Sequence, residues 1–207
     1  MTKLLIGLCG PAGAGKSTVA KIIARRYNGL VMPLAAPIKG MIESLGVDPK
    51  HLYGTPEDKE EPLELFGGKS ARFAMQQLGT EFGRTTFGED FWINIWFNTV
   101  RVLPHSIVIA DDVRFENEAK AIKDNGGIVI GVVKSYEDFD RAPVHASEDF
   151  LKVPKDALVF NSGSTAALEA VVTRILDKEP RILFPDEARV SDKAFPSIPY
   201  TLSIPKH

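Results

Sequence analysis

Runs of apolar residues along the chain alternate with segments in which apolar residues recur every three or four positions. Four uninterrupted runs, at residues 4–9, 107–110, 128–133 and 157–160, predict buried strands, and 30–32 predicts a further short strand. Helical spacing follows the first run, with Val19, Ile23 and Tyr27 on one face, and recurs near 115–122 and between 164 and about 176. Strands that are apolar throughout and alternate with helices are typical of a parallel sheet covered on both faces. The predicted class is therefore α/β with three layers.

A long, mostly helical insertion separates the 30–32 strand from the 107–110 strand. Helices are predicted near 36–45, 71–83 and 90–103, and the insertion, at about 35–104, is long enough to form a lobe. Prolines at 49, 56 and 62 and the acidic run at 57–61 mark an exposed loop whose charges are expected to face solvent. We expect one domain over 1–179 that contains this insertion. A Pro-rich tail follows at 180–207, which either packs on the body or a second subunit or stays flexible.

Composition narrows the possible functions and locations. A chain of 207 residues is long enough for one well-buried core, and its net charge of −2 supplies no basic field for a nucleic-acid polymer. The single cysteine, Cys9, cannot form an internal disulfide, which fits a reducing cytoplasm. The first apolar run leads into Gly-Lys-Ser rather than a cleavage site, and no run approaches the roughly 20 residues that span a bilayer. We therefore expect neither a targeting signal nor a membrane segment.

A phosphate-binding motif follows the first predicted strand. Residues 10–17 match G-x-x-x-x-G-K-[ST] in full and lie between a predicted strand and a predicted helix, as the mechanism of this loop requires. The motif predicts that Lys16 reaches the β- and γ-phosphates of ATP and that Ser17 ligates Mg²⁺. The residues expected to bind Mg-ATP are Gly10, Ala12, Gly13, Ala14, Gly15, Lys16, Ser17 and Thr18.

Two aspartates and an arginine follow the 107–110 run, at the sheet edge where ligands bind in α/β folds. We expect Asp112 to hold Mg²⁺ through water, whereas Asp111 is equally well explained as a helix cap or surface residue. Arg114 either points back at the transferring phosphate or pairs with Glu118 one turn later.

The insertion carries a polar stripe formed by Arg72, Gln76 and Thr80. A forked cation, an amide and a hydroxyl suit phosphate and base edges, but the pattern is equally compatible with a solvated helix face. Trp92 either belongs to the core or lines a pocket. His145 and Glu148 are too isolated to predict a metal site.

Taken together, the loop at 10–17, the segment 72–84 and three further motifs resemble the bacteriophage-type deoxynucleoside monophosphate kinases from residue 2 to about 177. The further motifs are Gly88-x-Asp90-x-Trp92, Asp112-Val113-Arg114-Phe115-x-Asn117-Glu118-Ala119 and His145-x-Ser147-Glu148. The resemblance implies a P-loop kinase fold, Mg²⁺-dependent transfer from ATP to a deoxynucleoside monophosphate (dNMP), a possible homodimer, and the host cytoplasm if the gene is from a phage. It also implies that Arg114 bridges the phosphates, that Arg141 lies in a lid, and that the deoxynucleotide is bound by Lys39, Arg72, Gln76, Arg84, Asp90 and Trp92.

Two other functions stay open at this point. A small-metabolite kinase of the same fold, acting on a sugar acid or dephospho-coenzyme A, would need a base for its hydroxyl acceptor. A P-loop nucleotide switch would hydrolyse its nucleotide slowly and transfer no phosphate. The sequence lacks the guanine-reading Asn-Lys-x-Asp motif, which disfavours the switch.

Overall fold

A computed structural model describes residues 3–135, 151–179 and 200–202, the last three by their backbone alone. Contacts divide the chain into two compact units, Leu34–Leu103 and the remainder. The remainder, which we call the sheet unit, contains β1 (Leu4–Cys9), α1 (Lys16–Tyr27), β2 (Leu30–Val31), β5 (Ile107–Val113), α8 (Glu116–Asp124), β6 (Ile128–Val133), β7 (Ala157–Phe160), α9 (Thr165–Leu176) and β8 (Tyr200–Leu202).

The sheet has the order β2-β5-β1-β6-β7-β8, and every neighbouring pair is parallel. Alternate residues of each strand cover opposite faces, as strand geometry requires. Ile6, Ile109, Ile130 and Val159 form one core with α1 and α9. On the other face, Ile122 of α8 lies against Gly7 of β1 and leaves no room there for a side chain. Helices thus cover both faces, and the predicted three-layer α/β class is confirmed.

The second unit, which we call the helical unit, is built from short helices and one small hairpin. Its elements are α2 (Ala36–Glu43), α3 (Lys50–Tyr53), α4 (Pro56–Glu60), β3 (Pro62–Leu63), β4 (Lys69–Ser70), α5 (Ala71–Gln77), a π-helical segment at Leu78–Arg84, α6 (Thr85–Phe87) and α7 (Phe91–Val102), with a 3₁₀ turn at Glu64–Phe66 between the two strands. Its core contains Ile38, Ile42, Val47, Leu52, Ala71 and Trp92. No described helix in either unit is long and apolar enough to cross a membrane.

The predicted helix at 71–83 differs from the structure in its second half. The α-helical pattern stops at Gln77, and Leu78–Arg84 is wound as a π-helix. The wider turns change which residues face the core, so Phe82 is exposed and Gly83 is buried. A Cβ at Gly83 would lie 2.1 Å from Nε1 of Trp92, which explains why glycine stands there.

The strand predicted at 107–110 continues to Val113, so both aspartates lie within it rather than after it. Ala110 pairs with Gly7 and Val113 pairs with Cys9, with a register shift between the two pairs. β5 therefore advances three residues where β1 advances two, which is the count of a β-bulge. The bulge occurs at Asp111 and Asp112, next to the phosphate-binding loop.

Candidate active site

The loop at residues 10–15 turns the chain sharply from the end of β1 into α1. Gly10 has φ +144° and lies so close to β6 that a Cβ there would be 2.0 Å from the carbonyl oxygen of Val132. Gly15, with φ +99°, directly precedes α1, and a Cβ there would be 2.2 Å from the side-chain nitrogen of Asn161. Only glycine fits such positions, so these two residues let the loop curl tightly. The curled backbone is the cradle that the motif predicts for phosphate.

Lys16, the first residue of α1, folds back over this loop. Its Nζ donates to the carbonyl oxygens of Gly10 and Pro11, each at 2.8 Å. Burial lowers the pKa of Lys16, and the positive charge of Arg114 lowers it further. The charged form of this ammonium group would therefore be stabilised by additional negative charge. A phosphate chain bound in the loop would supply that charge.

Ser17 links the loop to the bulged end of β5. Its hydroxyl donates to Oδ2 of Asp111 at 2.9 Å, and Ser17 itself is exposed. A hydroxyl and a carboxylate held together at the surface are oxygen ligands of the kind Mg²⁺ prefers. The sequence-based choice of Asp112 rather than Asp111 as the Mg²⁺ ligand is not favoured by this contact. Both aspartates nevertheless stabilise the charge of Lys16 and so lie in its neighbourhood.

Arg114 is exposed just beyond the bulge, near enough to Lys16 to influence its pKa. Glu118 was the alternative partner considered for the guanidinium. In the structure, however, the Glu118 carboxylate accepts from the backbone N–H groups of Arg114 and Phe115, at 2.8 and 3.1 Å. Glu118 thereby caps the start of α8. The sheet unit thus brings Lys16, Ser17, Asp111, Asp112 and Arg114 to one site.

Asn161 was not predicted to be a site residue. It follows β7, and its side-chain nitrogen donates to the carbonyl oxygen of Ala14 at 3.0 Å, in the middle of the phosphate-binding loop. Its backbone N–H continues the sheet by donating to the carbonyl of Val133 at 2.7 Å. A single polar residue 147 positions away gives no periodic or motif signal, so only the fold reveals this contact.

Two predicted substrate residues, Arg72 and Gln76, lie one turn apart on α5 in the helical unit. Arg72 is partly exposed and pairs through Nε with Glu60 at 3.0 Å, whereas Gln76 is exposed. Lys39, on α2, lies with Nζ 4.8 Å from the centre of the Tyr53 ring.

Trp92 was predicted either to belong to the core or to line a pocket, where the resemblance implied contact with the deoxynucleotide; its placement favours the core. Its side chain belongs to the core of the helical unit, with 4% of the residue exposed. The indole N–H donates to the carbonyl oxygen of Gly79 at 2.8 Å, which satisfies its one polar group. Trp92 therefore supports the π-helical segment. Arg84 ends that segment, and Asp90 directly precedes α7 on the surface.

The remaining predictions fall outside the described residues. Arg141, His145 and Glu148 all lie in the gap between 135 and 151, and of the Pro-rich tail at 180–207 only residues 200–202 are described. The lid function suggested for Arg141 therefore stays a prediction.

Comparison with known proteins relates this chain to one family. A family model described as "Deoxynucleotide monophosphate kinase" matches residues 67–172, about half of the chain. A protein of Acanthamoeba polyphaga mimivirus named "Putative deoxynucleotide monophosphate kinase" is 32% identical over 143 residues, covering 62% of this chain and 73% of the viral protein. This chain belongs to the deoxynucleotide monophosphate kinase family. It is accordingly an enzyme, a phosphotransferase.

Two further similarities accompany this assignment. The "Deoxynucleoside-5'-monophosphate kinase" of Escherichia phage T5 is 26% identical over 213 residues, covering 70% of this chain and 84% of the phage protein. The crystal structure of a "putative kinase" from Chloroflexus aurantiacus superposes with a TM-score of 0.44 at 14% identity, covering 85% of this chain and 97% of that one. The similarity to the Chloroflexus aurantiacus structure is too low to add anything to the family assignment. The resemblance to phage-type deoxynucleotide kinases is confirmed.

Proposed function

We propose that this kinase transfers the γ-phosphoryl group of ATP to a deoxynucleoside monophosphate, giving ADP and a deoxynucleoside diphosphate. One observation carries the ATP half of the proposal. The phosphate-binding loop is curled by glycines that lie against β6 and Asn161, and it presents the Lys16 ammonium and the Ser17–Asp111 pair together. The monophosphate half rests on the family, whose members are named for that substrate.

The residues present fit Mg-ATP. The loop can curl tightly because Gly10 and Gly15 have no side chain to clash with Val132 and Asn161, and the Lys16 ammonium, whose pKa burial lowers, lies over it. Ser17 and Asp111 supply the oxygen ligands that would hold Mg²⁺, with Asp112 as the second carboxylate nearby. When bound, Mg²⁺ would neutralise charge on the phosphates and fix their orientation.

The proposed reaction needs no general base. An oxygen of the acceptor monophosphate is already anionic at neutral pH, and it forms the new bond to the γ-phosphorus while the bond from that phosphorus to the β–γ bridging oxygen breaks. The electron pair leaves with ADP, so no proton has to move. What the chain supplies is alignment and positive charge. Lys16 stabilises the negative charge of the phosphates held in the loop. Arg114, which is exposed nearby, stabilises the charge of the phosphoryl group during transfer.

We assign the acceptor to the helical unit. Arg72 and Gln76 offer a planar cation and an amide from one face of α5, and Lys39 and Arg84 add positive charge in the same unit. A guanidinium binds phosphate at two points, and an amide reads the donor and acceptor groups of a base edge. Asp90 stays a candidate for the deoxynucleotide, whereas the burial of Trp92 removes it from our proposal. The homodimer and the cytoplasmic location stay predictions.

A coupled ADP-release assay across a panel of ribo- and deoxyribonucleoside monophosphates tests the proposal. We expect acceleration by at least one deoxynucleoside monophosphate, dependence on added Mg²⁺, and stoichiometric formation of the diphosphate. Sugar acids and dephospho-coenzyme A serve as hydroxyl acceptors in parallel. Acceleration by hydroxyl acceptors alone, or slow ADP release that no acceptor changes, would refute the proposed substrate.

A further inference from the structure

Glu60 makes a specific contact with Arg72, although the acidic run to which it belongs was expected only to face solvent. Oε1 of Glu60 lies 3.0 Å from Nε of Arg72, and its other oxygen, Oε2, accepts a hydrogen bond from the hydroxyl of Ser70 at 3.2 Å. Glu60 ends α4, and Arg72 lies in the first turn of α5. The carboxylate therefore bridges two helices of the helical unit.

Ser70 gives this bridge a defined geometry. Its Oγ accepts from the backbone N–H of Phe73 at 3.2 Å and so caps α5, the helix that carries Arg72. The same hydroxyl donates its hydrogen to Glu60. The carboxylate is thus held at one oxygen by the helix cap and at the other by the arginine. An exposed side chain held at both oxygens has less rotamer freedom than one that meets only solvent.

The atom of Arg72 that Glu60 contacts decides which nitrogens of the guanidinium can still bind a ligand. Glu60 contacts Arg72 at Nε, which lies on one edge of the guanidinium. The terminal Nη groups form the end of the fork, and that end can bind two oxygens of a phosphate at once. A carboxylate at Nε therefore orients the fork without occupying its end.

We propose that Glu60 is a positioning residue that orients Arg72 for the phosphate of the acceptor nucleotide. This inference rests on the proposed function, because it takes Arg72 as a ligand of the monophosphate. Loss of Glu60 leaves the arginine free to sample other rotamers, and the acceptor then has to select the productive one. Binding of the acceptor weakens, whereas the transfer step, which depends on the sheet unit, changes little once the acceptor is bound.

Steady-state kinetics of Glu60→Ala and Glu60→Gln, with the monophosphate varied at saturating ATP, test the inference. Glu60→Ala should raise KM for the monophosphate about three- to fivefold, the range that an exposed ion pair allows, with kcat within about twofold of wild type. Glu60→Gln should largely restore KM, because its amide oxygen can accept from Nε while its NH₂ donates to Ser70. Rescue by glutamine separates positioning from a general effect of negative charge.

The matched control is Glu57→Ala, which removes the same charge from an exposed position on the same short helix. It should leave KM unchanged. Arg72→Lys should raise KM more than Glu60→Ala does, because a lysine has no second edge with which to bind phosphate. Unchanged KM in Glu60→Ala overturns the proposal, as does a lower KM, which would mean that Glu60 competes with the phosphate. Unchanged KM in Arg72→Lys overturns it as well.

Failure of the proposed function gives a different result. If wild-type enzyme phosphorylates no nucleoside monophosphate, the assignment of the substrate fails before any variant is compared. If wild type is active and Arg72→Lys is impaired while Glu60→Ala is normal, only the role of Glu60 is refuted.

Discussion

Asn161→Ala should weaken the binding of ATP although the residue lies outside the phosphate-binding motif. The substitution removes the hydrogen bond of 3.0 Å to the carbonyl oxygen of Ala14, a residue with 2% of its surface exposed. A hydrogen bond of this kind contributes about 1 kcal/mol net, and leaving a buried carbonyl unpaired adds to the loss. The side chain also packs against Gly15, so the loop would gain room to move.

The expected loss of ATP affinity follows from the fraction of molecules in which the loop has the curled conformation that binds ATP. If the substitution leaves the curled conformation about 1 to 1.4 kcal/mol above the alternatives, ATP has to restore it, and its apparent affinity falls roughly five- to tenfold. Affinity for the monophosphate acceptor should change much less. Steady-state KM for each substrate, measured with the other saturating, separates the two effects.

Two further variants sharpen this test. Asn161→Asp keeps the shape of the side chain but replaces its donor with a carboxylate, so it should impair ATP binding at least as much as alanine does. Ser162→Ala, at the next exposed position, should have no effect on KM. If KM for ATP in Asn161→Ala stays within twofold of wild type, the contact with Ala14 does not hold the loop in its curled conformation.

Three other predictions concern the sheet unit. Lys16→Ala should reduce kcat by several orders of magnitude and leave the circular dichroism spectrum unchanged, because the ammonium stabilises phosphate charge and does not contribute to packing. Near-normal turnover would show that Lys16 does not bind the phosphates. Asp111→Asn should impair Mg²⁺-dependent turnover more than Asp112→Asn, since Ser17 bonds to Asp111; Mg²⁺ titrations giving the opposite ranking would restore the sequence-based choice. Burial raises the pKa of Cys9 to about 11 from 9.0, so at pH 8 about 100-fold less thiolate forms in the folded state. Iodoacetamide should therefore label Cys9 only after unfolding, and the free energy of unfolding should fall between pH 9 and about 11, where the unfolded thiol ionises first.

The sequence alone determined the α/β class and the phosphate-binding loop. Both are encoded locally: a strand apolar on both faces is a continuous run, and the loop needs glycines and a lysine at fixed spacing within eight residues. Strands β1, β6 and β7 have the predicted bounds for the same reason.

The tertiary structure decided the details that depend on residues far apart in the chain. β5 has a bulge where it pairs with β1, and Asp111 in this bulge, rather than Asp112, accepts the hydrogen bond of Ser17. Gly83 in the π-helical segment lies against Trp92, and Trp92 is buried, although the sequence left it as either a core or a pocket residue. Asn161 reaches Ala14 across 147 positions. Hydrophobic periodicity records which face of an element is buried but not which residue of another element lies opposite, so these three contacts required the fold.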